Sequence, residues 1–271
     1  MSKNNNSKYW AIILGASSGF GEATAVKLSA DGYNIIGVHL DRQATMHNVE
    51  KIISRINKNG SEALFFNVNA ADRFKRSEIV SQIKKKLNGE ALIKVTMHSL
   101  AFGTLRSFIP NEQEQAITHA QMEMTLDVMA HSLVYWMQEL YLNNLLAERG
   151  RVFAMTSSGG HSSIPYYGAV SAAKAALESH IRQLSVELGP MDISVNAIMA
   201  GVTDTPALRK IPGSKEMADI ALKKNPKKRL TTTADVAKVI SLLCKDGGEW
   251  ISGGIINADG GEDIVSYVGQ N

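Results

Sequence analysis

A chain of 271 residues with 44% apolar side chains can bury one large core and falls within the size of a single α/β domain. No apolar run approaches the roughly 20 residues of a membrane helix, and a formal net charge of +3 is too small to point to nucleic acid. The one cysteine, Cys244, sits in the apolar run Val239-Ile240-Ser241-Leu242-Leu243-Cys244, so it reads as a core thiol and excludes an internal disulfide or a cysteine-based metal site.

Met1 to Lys8 is polar and rich in Asn and Ser. It has neither the apolar stretch of a signal peptide nor the Arg-rich pattern of a transit peptide. Residues 1–9 are therefore expected as a frayed tail before one domain over 10–271, in a soluble cytoplasmic protein. From there, short β-branched runs alternate with longer helix-period segments, which predicts an α/β fold built on a doubly wound parallel (Rossmann) sheet. The expected strands are Trp10–Leu14, Asn34–His39, Ala63–Asn67, Leu92–His98, Arg151–Thr156, Ile193–Ile198 and Ile255–Ala258, with helices between them such as Gly21–Ala30 and Val49–Lys58.

The first strand runs into Gly15-Ala16-Ser17-Ser18-Gly19-Phe20-Gly21 and then a helix. Glycines there allow a tight turn and let a pyrophosphate approach main-chain N–H groups at the helix N-terminus. The spacing is G-x-x-x-G-x-G rather than G-x-G-x-x-G; its position between the first strand and the first helix is what favours a nucleotide. Gly15, Ser17, Ser18, Gly19, Phe20 and Gly21 are the candidate contacts.

The second strand ends in Val38-His39-Leu40-Asp41-Arg42. An acid at this point would bind the adenosine ribose hydroxyls, whereas an arginine would accept a 2′-phosphate. Asp41 and Arg42 are adjacent and could equally pair with each other or with solvent. His39, not an acid, holds the last strand position, which favours NADPH over NADH. Further on, Thr156-Ser157-Ser158-Gly159-Gly160 is small and polar at a strand's C-terminal edge, where ligands sit in open α/β sheets. Pro165 can start a helix, and Gly168, Ala169, Ser171, Ala172, Ala173, Ala175 and Ala176 give that helix a small surface suited to close packing against the sheet or another subunit.

These motifs resemble the short-chain dehydrogenases/reductases and, within them, the enoyl-acyl-carrier-protein reductases. The likeness spans about Trp10 to Ile264 and rests on the glycine turn, Asn67-Val68, Met97-His98-Ser99-Leu100-Ala101-Phe102, Tyr167-x6-Lys174, Val195-Asn196-Ala197-Ile198-Met199-Ala200-Gly201 with Thr205, Ile251-Ser252-Gly253-Gly254 and Asp259-Gly260-Gly261. Three departures from the ordinary ketoreductase pattern point the same way. Four residues before Lys174, where such an enzyme has its tyrosine, stands Val170; His98-Ser99-Leu100-Ala101 replaces Asn-Asn-Ala-Gly; and Asp127 replaces the relay asparagine.

On a continuous helix, positions four and seven before Lys174 share a face, separated by about 4.5 Å. The resemblance implies that Tyr167 protonates or hydrogen-bonds the enolate of an enoyl thioester, that Lys174 holds the nicotinamide ribose and favours the phenolate, and that Ser157 adds a donor to the substrate carbonyl. Tyr166 is the rival phenol; helix neighbours lie 100° apart, so only one of the two would face the nicotinamide. Asn67 and Val68 are implied at the adenine, Ser99, Leu100 and Ala101 at the ribose, and Gly201, Val202 and Thr205 at the carboxamide and pyrophosphate. Strand-end and turn capping would equally account for Asn67 and Thr205.

Leu105–Thr125 and Thr203–Lys215 are expected as loops shaping an acyl pocket. Met129 and Met137 fit the core, and Met199 is the better pocket candidate. Lys223, Lys224, Lys227, Lys228 and Arg229 form a basic cluster that would attract an acidic carrier protein or simply be a solvated helix end. His47, His119, His131, His161 and His180 show no metal-ligand spacing. The expected activity is NAD(P)H-dependent reduction of a trans-2-enoyl thioester, linked to acyl-carrier protein or CoA, in fatty-acid synthesis by a homotetramer. The alternatives are a 3-oxoacyl-thioester reductase or hydroxysteroid dehydrogenase of the same superfamily and, more remotely, a non-catalytic nucleotide-binding regulator.

Overall fold

The computed structural model describes residues 8–90, 92–112 and 115–266. Seven parallel strands stand in the order β3-β2-β1-β4-β5-β6-β7: β1 Tyr9–Leu14, β2 Asn34–His39, β3 Ala63–Asn67, β4 Leu92–His98, β5 Leu146–Thr156, β6 Ser194–Ala200 and β7 Ile255–Ala258. Between them run α1 Gly19–Ala30, α2 Met46–Lys58, α3 Arg73–Leu87, α4 His119–Leu126, α5 Ser132–Leu142, α6 Gly168–Leu188, α7 Ser214–Lys224 and α8 Thr233–Leu243. This is the doubly wound Rossmann sheet expected from the alternating pattern.

The strands are nearly all apolar because both faces of the sheet are covered. Successive side chains alternate between faces: Trp10, Ile12 and Leu14 of β1 enter one core with α3, α5 and α6, while Ala11 and Ile13 enter the other with α1, α2 and α8. Each fully buried Leu or Ile contributes about 1.5–3 kcal/mol, so the two cores, rather than helix propensity, hold the layers together. The strand order reverses between β1 and β4, and a doubly wound sheet binds ligands in the crevice at that switch, outside the carboxyl ends of its strands.

Several boundaries differ from expectation. Tyr9 already belongs to β1, so only Lys8 of the expected tail is described outside the sheet, and Met1–Ser7 lie outside the described residues. β5 starts at Leu146 rather than Arg151. The expected loop Leu105–Thr125 becomes α4 from His119 onward, because Thr118 and Gln121 form a reciprocal capping box. No described helix is long and apolar enough to cross a membrane.

Candidate active site

The glycine turn after β1 is packed too tightly for side chains. Gly15 has φ +91° and its main-chain N–H donates to Val38 O at 2.8 Å. A Cβ on Gly15 would come 2.5 Å from Ser99 O, and one on Gly21 would come 2.0 Å from Gly15 O. Gly19, at φ +58°, faces Thr205, whose Cγ2 would be 3.7 Å from such a Cβ. The turn, the end of β4 and the segment after β6 therefore converge. Ser18 is the N-cap of α1, yet its hydroxyl makes no capping bond, so the first amides of the helix have no side-chain acceptor. Glycine cradle and uncapped N-terminus together suit a pyrophosphate. Phe20 is half-buried and packs against the α1/α2/α8 core.

At the end of β2, Asp41 does not pair with Arg42. His39 Nδ1 lies 3.0 Å from Asp41 Oδ2, and Thr45 Oγ1 donates to Asp41 Oδ1 at 2.7 Å. Burial pushes the Asp41 carboxyl up, but hydrogen bonds from Ser17, Thr45 and His39 outweigh it and hold the group below its usual range. His39 is buried, and that burial keeps its imidazole below the usual value despite the acid beside it. Arg42 is exposed. Asn67 receives Asp41 N–H at 2.9 Å and donates to Asp41 O at 2.9 Å. Its amide thus clamps the β2 loop onto β3 in the capping role. Val68 N–H donates to His39 O at 2.7 Å, and its side chain packs on the core.

After β4, His98 is fully buried and its Nε2 lies 2.9 Å from Ser132 Oγ, which itself donates to Val128 O at 2.8 Å. Since that hydroxyl has one proton, both contacts are satisfied when Nε2 carries the imidazole proton, and the bare Nδ1 is left with no partner. Burial, with the Lys174 charge adding to it, pushes His98 down to about 3. A π-helical turn over Asp127–His131 opens α5 and brings Ser132 under the histidine. Leu100 packs on the core, and Ala101 is exposed.

The phenols do not sit on a continuous helix. α6 begins at Gly168, Tyr167 is its N-cap, and Tyr166 has φ +64°, in a turn entered through Pro165 and closed by Tyr167 N–H to Ile164 O at 3.1 Å. A left-handed tyrosine is strained by about 1–2 kcal/mol. It also throws the two rings apart. Tyr166 is half-exposed in a cavity of about 410 Å³ lined with Leu105, Arg106, Ser107, Gln115 and Pro212. Tyr167 is 8% exposed. Its ring is so close to Gly159 that a Cβ there would come 2.5 Å from Cε1. Burial raises the Tyr167 phenol, and a hydrogen bond with Ser157 pulls against that rise.

Lys174 is buried and donates from Nζ to Met155 O at 2.7 Å. Burial lowers it to about 8, against the pull of Glu178 one helical turn on. Glu178 accepts from Thr156 Oγ1. Sequence reasoning passed over Glu178, although its i+4 spacing from Lys174 was a readable signal. Val170 is buried with its Cγ2 against Gly103, beside Thr125 and Met129.

After β6, Gly201 has no room for a side chain, since a Cβ would come 2.4 Å from Thr231 Oγ1 and 2.8 Å from Glu262 Oε2. Val202 N–H donates to Glu262 Oε1 at 3.0 Å, and Thr205 Oγ1 accepts from Leu208 N–H at 3.2 Å as a turn cap. Met129 and Met137 are in the core; Met199 is 3% exposed, one residue before the carboxyl end of β6. In the basic cluster, Arg229 pairs with Asp235, while Lys223, Lys227 and Lys228 are exposed. Cys244 packs against the α1/α2/α8 core and burial pushes its thiol up to about 12. Among the described residues no group of three or more His, Cys, Asp or Glu could hold a metal ion.

Comparison with known proteins adds to this geometry. The family model described as enoyl-(acyl carrier protein) reductase matches residues 15–262. Versicolorin reductase stcU of Emericella nidulans is 26% identical over 93% of this chain and 94% of its own. Two solved structures share the fold. An enoyl-(acyl-carrier-protein) reductase from Anaplasma phagocytophilum in complex with NAD has TM-score 0.82 at 19% identity, over 98% of this chain and 95% of that one. A short-chain dehydrogenase from Burkholderia cenocepacia in complex with NADP has TM-score 0.80 at 22% identity, over 96% and 100%.

Proposed function

Because the chain belongs to the short-chain dehydrogenase/reductase family and is an oxidoreductase of that fold, we propose that it is an NAD(P)H-dependent enoyl-thioester reductase of fatty-acid synthesis in the cytoplasm. The observation that carries this reading is the buried phenol at the site: Tyr167 lies on Gly159 with Ser157 beside it, and Val170 is packed into the core. A nicotinamide dinucleotide held by the glycine turn and Lys174 would supply hydride to the β-carbon of the substrate. Tyr167 then stabilises and protonates the enolate oxygen three bonds away, Ser157 orients the phenol, and Lys174 lowers the cost of its ionised form. The glycine turn and α1 hold the pyrophosphate. Exposed Arg42, free of Asp41, favours a 2′-phosphate and hence NADPH.

The basic cluster at the end of α7 suits an acidic acyl-carrier protein, and CoA thioesters carry the same reacting group. Exposed Ala172, Ala175 and Ser179 give α6 a small outer face that suits close packing in a homotetramer. A ketone-reducing activity is the second reading, favoured by the likeness to versicolorin reductase over nearly the whole chain. The test is oxidation of NADPH or NADH with crotonyl and with acetoacetyl thioesters. Turnover of the crotonyl substrate is expected; turnover of acetoacetyl thioester alone would replace the proposal with the second reading.

A further inference from the structure

Glu262 is a buried acid with no part in the chemistry above. It follows the Asp259-Gly260-Gly261 turn after β7 and is 7% exposed. A carboxyl is rarely buried unless it is bonded. One oxygen, Oε1, accepts Val202 N–H at 3.0 Å. The other, Oε2, has no hydrogen-bond partner among the described residues and lies against Gly201, where a Cβ would come 2.8 Å from it. The turn that carries it is braced from within. Asp259 receives Gly261 N–H at 2.9 Å and Asp263 N–H at 2.8 Å, and Asn225 Nδ2 donates to Asp259 O at 2.8 Å. The neighbouring Asp263 reaches the other site loop, with its Oδ2 3.2 Å from His161 Nε2 between β5 and α6.

We propose that Glu262 is a positioning residue for the nicotinamide half of the dinucleotide. It fixes the main chain at Gly201 and Val202, which the family resemblance assigns to the carboxamide and pyrophosphate, so the inference rests on the proposed function. A carboxylate bond to a main-chain N–H is stronger than a neutral one, and at this point it replaces the inter-strand bonds that end with β6. The glycine at 201 lets the carboxylate approach. Glu262 makes no hydrogen bond to the glycine turn or to β2, where the adenosine end would be held.

The test compares the binding of NADPH with that of adenosine 2′,5′-bisphosphate, which lacks the nicotinamide and the pyrophosphate bridge. Glu262→Ala is expected to weaken NADPH roughly tenfold or more and to raise its KM with a smaller change in kcat. The same variant should bind the nicotinamide-free fragment as the parent does. Glu262→Gln keeps an acceptor for Val202 N–H and should recover NADPH binding to within about threefold. Equal weakening of both ligands in Glu262→Ala, or unchanged NADPH affinity, overturns the inference while leaving the proposed function standing. Failure of the parent protein to bind NADPH or NADH at all overturns the proposed function and the inference with it.

Discussion

Lys174 Nζ donates to the main-chain carbonyl of Met155 at 2.7 Å, so the ammonium is tied to the end of β5 while Glu178 supports its charge from one turn along α6. Burial lowers this lysine to about 8. It is a cation below that value and neutral above it. The free-enzyme kcat/KM for crotonyl thioester should therefore decline as pH rises through about 8. Glu178→Gln removes the charge that favours the cation, so it should move this limb to lower pH. A profile that stays level to pH 10 in the parent, about two units past the lysine, would show that the Lys174 charge has no part in turnover.

His98 makes the fold sensitive to acid. Its ordinary value is 6.5, and burial followed by the Lys174 charge pushes it down to about 3 in the folded chain. Between those values the unfolded chain holds more protons, so stability is lost as pH falls below 6.5. At pH 5 the loss from this group is about 2 kcal/mol. His98→Asn has no such titration. Thermal melts at neutral pH and at pH 5 should show a larger drop in Tm for the parent than for the variant; equal drops would contradict the assignment.

The two phenols should separate cleanly by substitution. On the proposed function, Tyr167→Phe is expected to lower kcat by about 100-fold with NADPH binding near normal, since it would remove the donor to the enolate. Tyr166→Phe keeps the ring in its cavity and should leave turnover within about threefold of the parent. Steady-state kinetics on both variants decides the matter, and a larger loss in Tyr166→Phe would reassign the role.

Two glycines provide a steric contrast. A Cβ at 159 meets the buried Tyr167 ring at 2.5 Å, and one at 168 meets the half-exposed Phe108 ring at the same 2.5 Å. Only Phe108 has solvent to swing into. Gly159→Ala should lower kcat about tenfold or more by displacing the phenol, whereas Gly168→Ala should retain activity. Matching kinetics for the two variants would refute the argument.

On the proposed NADPH reading, Arg42→Ala should raise the KM for NADPH by about tenfold and leave that for NADH nearly unchanged, because it would remove a charge-assisted partner for the 2′-phosphate alone. Parallel KM measurements with the two cofactors give the answer. An equal effect on both would place the 2′-phosphate elsewhere.

The sheet was legible in the sequence because parallel strands covered on both faces leave continuous runs such as Trp10–Leu14 and Asn34–His39. The glycine turn was legible because close main-chain approach admits only one residue type at Gly15 and Gly21. Long-range side-chain pairings were not. Nothing in local spacing joins Asn67 to Asp41, His98 to Ser132, or Glu262 to Val202. The left-handed Tyr166 also escaped, since its φ of +64° runs against the preference of a bulky residue and survives only under tertiary restraint.

Val170 bears on how such an enzyme could change its trade. A phenol four residues before Lys174 would need the space now filled by contacts among Val170, Gly103, Thr125 and Met129. Exchanging valine for tyrosine alone would overpack that cluster at about 1–3 kcal/mol. A working phenol at 170 would thus have to come together with smaller side chains at Thr125 or Met129, as a set and not as a single exchange.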